Sequence, residues 1–369
     1  MALLSARRLR WLGGLMALAL VAGGAMWWQR ERILTWHYLR SLTQAGEEER
    51  DLWAERVASL GEVAVPGLLD CLARDDEQIC ANARAALERM CAAWPAEDPR
   101  QGELAGRLVE AFAHLSAPGQ RCVLSLAAEW DQSALRPYRI KLVSATSESG
   151  DSVARAAALE IAAALLAREP GDDGFAACRA LACACLRDGD GTNRRRAVQF
   201  ALYPQLNLFE DVVPLLGDSS PEVRRCVVLA VGGSRQALSD ERLALALHDS
   251  DAEVRRLCEK ALMGRGLTRR HIHLARLITD RRPVTRLQVL YYLRDDSDLD
   301  VSVWLRLLMQ DSAEAVRLAA VRATAEQAVG ELHERLEQIA ASDPSPTVCR
   351  WARYYLECLK QRQASNARP

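Results

Sequence analysis

Five aspartates and five arginines stand in a fixed relation along the carboxyl-terminal half of the sequence. Asp188, Asp218, Asp249, Asp280 and Asp311 are followed six residues later by Arg194, Arg224, Arg255, Arg286 and Arg317. A guanidinium offers a planar fork of donors that matches a carboxylate or two carbonyl oxygens, so the chemistry on offer is charge-assisted hydrogen bonding. Because the pairs recur with a repeat, they are expected to serve it as a structural ladder that joins neighbouring units and fixes their register.

Other side chains with chemical potential give a thinner signal. Residues 264–286 carry Arg265, Arg269, Arg270, Arg276, Arg281, Arg282 and Arg286 against a single acid, Asp280, and Asp295, Asp296, Asp298 and Asp300 follow. This stretch reads either as a basic patch for an acidic protein, anionic headgroups or phosphates, or as a solvated face answered by the next repeat. His271 and His273 are two apart, so on a helix they diverge and cannot share a metal. Cys178, Cys183 and Cys185 form the densest thiol cluster, but no second cluster or histidine stands at zinc spacing, and they read as small core residues. No Gly-rich phosphate loop, Gly-x-Ser-x-Gly elbow or His-Glu-x-x-His stretch occurs. The expectation is therefore no enzyme, no catalytic residue, no cofactor and no metal.

The elements that carry the ladder are legible in the spacing. From Asp218 to Asp311 the aspartates are 31 residues apart three times running. After each one, apolar or small residues fall at helical spacing: Val223, Cys226, Val227, Ala230; Val254, Leu257, Cys258, Ala261; Val316, Ala319, Ala320, Ala323; Val348, Trp351, Ala352, Tyr355. Before each aspartate a second stripe recurs, as in Leu243, Ala246, Leu247 and in Leu305, Leu308, Met309. Each unit is thus a pair of helices, with the aspartate and its following Ser or Pro placed to cap the second. One such pair cannot bury its own stripe, so neighbours must stack. The predicted fold is all-α, an α-solenoid of stacked antiparallel helix pairs.

These residues resemble the HEAT-like repeats of the phycobilisome-lyase type, which carry an Asp, a Val-Arg pair and an Ala-rich second helix. The resemblance is strong from Asp188 to Leu359 and extends to Val57–Leu72 and Asn82–Met90, with Arg121 and Arg155 marking two possible further units. Thr285 and Gln288 interrupt the stripe of one unit, and Cys349 replaces the last arginine. The resemblance implies a HEAT/armadillo-like superhelix. Its alternatives for function are bilin lyase-like chromophore handling or, by likeness to HEAT-like DNA glycosylases, nucleic-acid binding.

Composition bounds the rest. The 369 residues are 50% hydrophobic, 26% charged and 5% aromatic, and 48 basic against 49 acidic residues argue against a dedicated nucleic-acid binder. Residues 11–28 hold no charge and lie between Arg7, Arg8, Arg10 and Arg30, Glu31, Arg32. At about 1.5 Å per residue they reach across a bilayer core. Trp11, Trp27, Trp28, Trp36 and Tyr38 stand where interfacial aromatics belong. The predicted organisation is a basic tail at 1–10, a transmembrane helix at 11–29, a juxtamembrane helix or linker at 30–46, about eight repeats at 47–360 and a disordered tail at 361–369. A cleaved signal peptide is the alternative for the amino-terminal segment. The positive-inside count places the amino terminus in the cytoplasm and the solenoid on the far side, although eleven cysteines are unusual in an oxidising compartment. The function expected is a non-enzymatic, membrane-anchored scaffold that binds a partner protein and no nucleic acid.

Overall fold

The computed structural model describes residues 32–95, 97–168, 172–295, 299–327 and 329–366, and among them every regular element is helical. They divide into two compact units, Met1–Leu208 and Phe209–Pro369.

The expected transmembrane helix at 11–29 and the basic tail at 1–10 lie outside the described residues. Among those described, no helix is long and apolar enough to cross a membrane. The expected localisation, a single-pass membrane protein with a cytoplasmic amino terminus, is corrected accordingly. The longest described helix, Pro346–Asn366, is interrupted by Arg350, Arg353, Glu357 and Lys360, which no bilayer core would accept. The stretch expected to follow the anchor is helical at residues 32–44, but it packs on protein: Leu42 is buried, and Asn82 donates its amide to the Leu42 and Ala45 carbonyls at 2.8 and 3.0 Å.

In the first unit each helix that opens after a turn packs on its successor: Glu77–Ala93 on Ala117–Ala128, that on Ser152–Arg168, and that on Gly191–Gln199. Val65–Leu72 precedes the first of these, and Pro99–Ala111, Arg136–Ser147 and Phe175–Leu186 run between them. Close approach is built in at Gly119, where a Cβ would collide with the backbone carbonyl of Leu72. Ser116 anchors the same junction, its hydroxyl donating to the Leu72 and Arg74 carbonyls at 2.9 and 2.7 Å.

The second unit repeats the pattern with shorter first helices. Its second helices are Pro221–Val231, Ala252–Gly264, Pro283–Asp295, Glu314–Glu326 and Pro346–Asn366. The valines that open four of them, Val223, Val254, Val316 and Val348, are all fully buried. From the paired first helices, Leu243, Leu247, Leu274, Leu305, Leu308 and Met309 complete the core. One position of the expected stripe differs throughout: Cys226, Leu257 and Ala319 are half-buried and Trp351 is exposed, where the following Val227, Cys258, Ala320 and Ala352 are buried.

The turns also differ from expectation in one respect. The repeating aspartate does not cap the second helix. The cap falls two residues later, where Ser220 and Asp251 accept from the Val223 and Val254 amides. The aspartate instead accepts the amide of that cap residue: Asp218 from Ser220, Asp249 from Asp251, Asp311 from Ala313 and Asp343 from Ser345, all at 2.7–2.8 Å. This is an Asx turn that shapes the connection before the helix starts.

Gly119→Ala should destabilise the first unit by about 1–3 kcal/mol, because the helix must move off a backbone carbonyl. Urea unfolding followed by circular dichroism tests this, and an unchanged midpoint would contradict the close packing.

Candidate functional site

The arginines of the second helices bridge successive turns. Arg224 donates from Nε and Nη2 to both carboxylate oxygens of Asp249, each at 2.7 Å, while its Nη1 donates to the Asp218 carbonyl of its own turn at 2.7 Å. Arg286 does the same with Asp311 at 2.6 and 2.7 Å and with the Asp280 carbonyl at 2.9 Å. Arg317 grips Asp343 at 2.9 Å through two donors and the Asp311 carbonyl at 2.9 Å. Each arginine therefore reads its own turn through backbone oxygens and the next turn through a carboxylate. In the first unit Arg155 donates to Asp188 at 2.8 Å, and Arg194 reaches the Asp188 carbonyl at 2.8 Å. Arg155 and Asp343 thus join the residues expected from the six-residue spacing.

Among the described residues one rung is missing. Arg255 reaches only the carbonyls of Asp249 and Ser250, at 2.7 and 3.0 Å, and the Asp280 carboxylate is taken by Arg282 two residues on, at 3.2 Å. At this step the second helices Ala252–Gly264 and Pro283–Asp295 do not pack to the extent seen for the other successive second helices of the unit.

The electrostatics follow the geometry. Burial opposes ionisation of Asp188, Asp249, Asp311 and Asp343, yet the facing guanidinium and the turn amide overcome it and hold each carboxyl below the ordinary 3.8. Burial pushes the thiols of Cys71, Cys91, Cys122 and Cys178 up to about 11 and those of Cys185 and Cys258 up to about 12. Thiols raised in this way stay protonated at neutral pH.

The structure divides the side chains of the basic stretch, which the sequence leaves open to two readings. The Arg265 side chain is 2% exposed, donating to the Gly232 and Ser234 carbonyls and pairing with Asp240 at 2.6 Å. Arg276 pairs with Glu259, and Arg282 with Asp280. Arg269 and Arg270 open the ten-residue helix Arg269–Ile278, whereas Arg281 follows its end, ~15 Å away along the axis. His271 and His273 diverge: His271 closes a capping box with Thr268 and stacks on Trp304, while His273 meets the edge of Tyr292.

Sequence reasoning missed a surface feature with the same period. At the sixth position after the opening residue of each second-helix stripe stand Leu229, Lys260, Tyr291, Arg322 and Tyr354, all exposed. Leu229, Tyr291 and Tyr354 are 67, 67 and 52% exposed, and Trp351 packs edge-on against Tyr354 at 5.6 Å. The signal was present, since aromatic residues stand at a position that the stripe leaves to solvent.

Taken together, the described residues define an all-α protein built from repeating, stacked helix pairs. No family model matches the chain, and no curated protein matches it by sequence. Among solved structures, a crystal structure of importin β is similar over 87% of this chain and 53% of its own, at 13% identity and a TM-score of 0.49. This chain thus spans about half the length of that one. An engineered protein is similar over 88% of this chain and 98% of its own, at 16% identity and a TM-score of 0.27.

Two outcomes are expected of the ladder. Arg286→Ala leaves the largely buried Asp311 carboxylate without its partner and should cost about 3 kcal/mol in urea unfolding, against about 1 kcal/mol for Arg255→Ala, which loses only carbonyl contacts. Equal losses would contradict the assigned contacts. Because the ladder carboxyls titrate lower when folded, their contribution is complete above about pH 4 and is lost as pH falls through the depressed values. Wild-type stability should therefore fall more steeply than that of Arg286→Ala on acidification below this point, and parallel pH profiles would contradict the assignment.

Proposed function

We propose that the chain is a non-enzymatic scaffold that binds a partner protein through the exposed face of its second helices. The observation that carries this reading is the periodic row of Leu229, Tyr291 and Tyr354, interleaved with Lys260 and Arg322. Large apolar groups left in water at equivalent positions are what a protein interface uses, and tyrosine with arginine is the composition of its energetic centres. The side chains that would otherwise suggest chemistry are occupied: the ladder arginines in turns, and the deepest thiols in the core. Such a scaffold needs no cofactor and no nucleic acid.

Crosslinking in native extracts followed by size-exclusion chromatography tests the reading. The wild-type chain should migrate in an assembly that a Leu229→Glu, Tyr291→Glu, Tyr354→Glu triple variant loses while its melting temperature is unchanged. A partnerless wild-type chain would contradict it, as would a shifted absorption band on mixing with a bilin or retention of DNA on a filter at low salt.

A further inference from the structure

We propose that a cleft between first helices of the second unit receives a segment of the partner in which one aromatic or aliphatic side chain is flanked by arginines or lysines. This rests on the protein-binding reading above and adds, on the first helices, a contact separate from the row on the second helices. The cleft encloses about 490 Å³ and is lined by Leu262, Leu267, Ile278, Val303, Trp304 and Leu307. That volume suits one large side chain with its immediate neighbours.

The helix Val301–Leu308 creates the cleft because it is apolar on two sides. Leu305 and Leu308 turn inward and are fully buried; Leu243 and Leu274 at the position of Leu305 are buried too, whereas Ala246 and Leu277 at the position of Leu308 are half-buried. Val303, Trp304 and Leu307 form a second apolar side, at positions where the first helix of the Asp249 unit has Glu241, Arg242 and Leu245 and that of the Asp280 unit has Ile272, His273 and Arg276. Val303 and Leu307 remain 50 and 37% exposed. Across the cleft, the His271 ring stacks on Trp304 with centroids 6.3 Å apart and planes 19° from parallel. His271 is itself held by Thr268, whose hydroxyl lies 2.8 Å from Nδ1. Gly266, at φ +94°, makes the turn that carries Leu267 into the wall. The apolar walls are thus fixed before anything binds, which lowers the entropic cost of binding.

Charge selects the occupant. Among the described residues the lining contains Asp240, Glu241, Asp300 and Asp311 and neither lysine nor arginine. Asp240 is answered by Arg265 and Asp311 by Arg286. Glu241 and Asp300 stand outside the ion pairs among the described residues, and Asp300 accepts from Ser302 in its own turn. An apolar hollow with two such carboxylates at its edge favours an apolar group flanked by cations and repels an acidic segment.

The test uses the full chain and a fluorescein-labelled octapeptide with one tryptophan centred among four arginines, followed by anisotropy. Saturable one-site binding is expected. Replacing the peptide's tryptophan by alanine, or its arginines by glutamates, should weaken it by about tenfold or more. In the chain, Glu241→Arg and Val303→Arg, both at exposed positions, should each weaken binding by about tenfold with unchanged melting. Absent saturation, equal binding of the acidic peptide, or wild-type affinity in both variants would overturn the cleft proposal. If the native assembly persists while the peptide fails to bind, the cleft falls and the scaffold reading stands. If no native assembly forms while the peptide binds as expected, the scaffold reading falls and the cleft stands.

Discussion

A short helix pair cannot bury its own apolar stripe, and the rest of this structure follows from that constraint. Val223, Val254, Val316 and Val348 are fully buried only because a neighbouring pair covers them. Apolar burial has no direction, however, and would tolerate a slip of one turn between stacked helices. Directional contacts supply the missing information. A bidentate arginine that touches its own turn through carbonyls and the next turn through a carboxylate satisfies all its donors in only one register. Its cost, the desolvation of a guanidinium and a carboxylate, is offset because the Asx turn gives the carboxylate a further amide donor.

The same logic explains where the second unit is least regular. Arg282 captures Asp280 locally, Arg255 is left with carbonyls alone, and the second helices at that step lose close packing. The lined cleft involves the first helix of that same Asp280 unit, through Ile278 and His271. A repeat array offers chemically distinct surface where its regularity lapses, since the regular steps use their side chains to hold neighbours together. The exposed row on the second helices is the complementary case. There the period continues outward, and the residue types alternate between apolar and cationic while their position stays constant.

Much of this was legible in the sequence because repetition averages out local ambiguity. The 31-residue spacing located the helix pairs, the buried valines and the arginine–aspartate relation. What it could not distinguish was which aspartate each arginine meets. Six residues separate Arg224 from Asp218 and twenty-five from Asp249, yet it is the second carboxylate that the guanidinium holds, and the first contributes a carbonyl. The basic stretch stayed open between two readings for a related reason: charge counting along the chain is blind to Arg265 turning inward to cap carbonyls of the preceding repeat. Trp304 and Leu307 were visible as apolar residues, but their excess emerges only when Val301–Leu308 is set beside the other first helices. The amino-terminal apolar segment read as a membrane span; it lies outside the described residues, and no described helix has that character.

Each turn of the ladder is held by its neighbour as well as by itself. Hydrogen exchange measured by mass spectrometry on the full chain, wild type against Arg317→Ala, addresses this directly. Arg317 lies in one repeat and its carboxylate partner Asp343 in the next. Exchange should accelerate both in the turn at 311–313 and across the repeat boundary in the turn at 343–345 and the start of Pro346–Asn366. Acceleration confined to residues 311–313 would show that the repeats stand independently and would contradict the account.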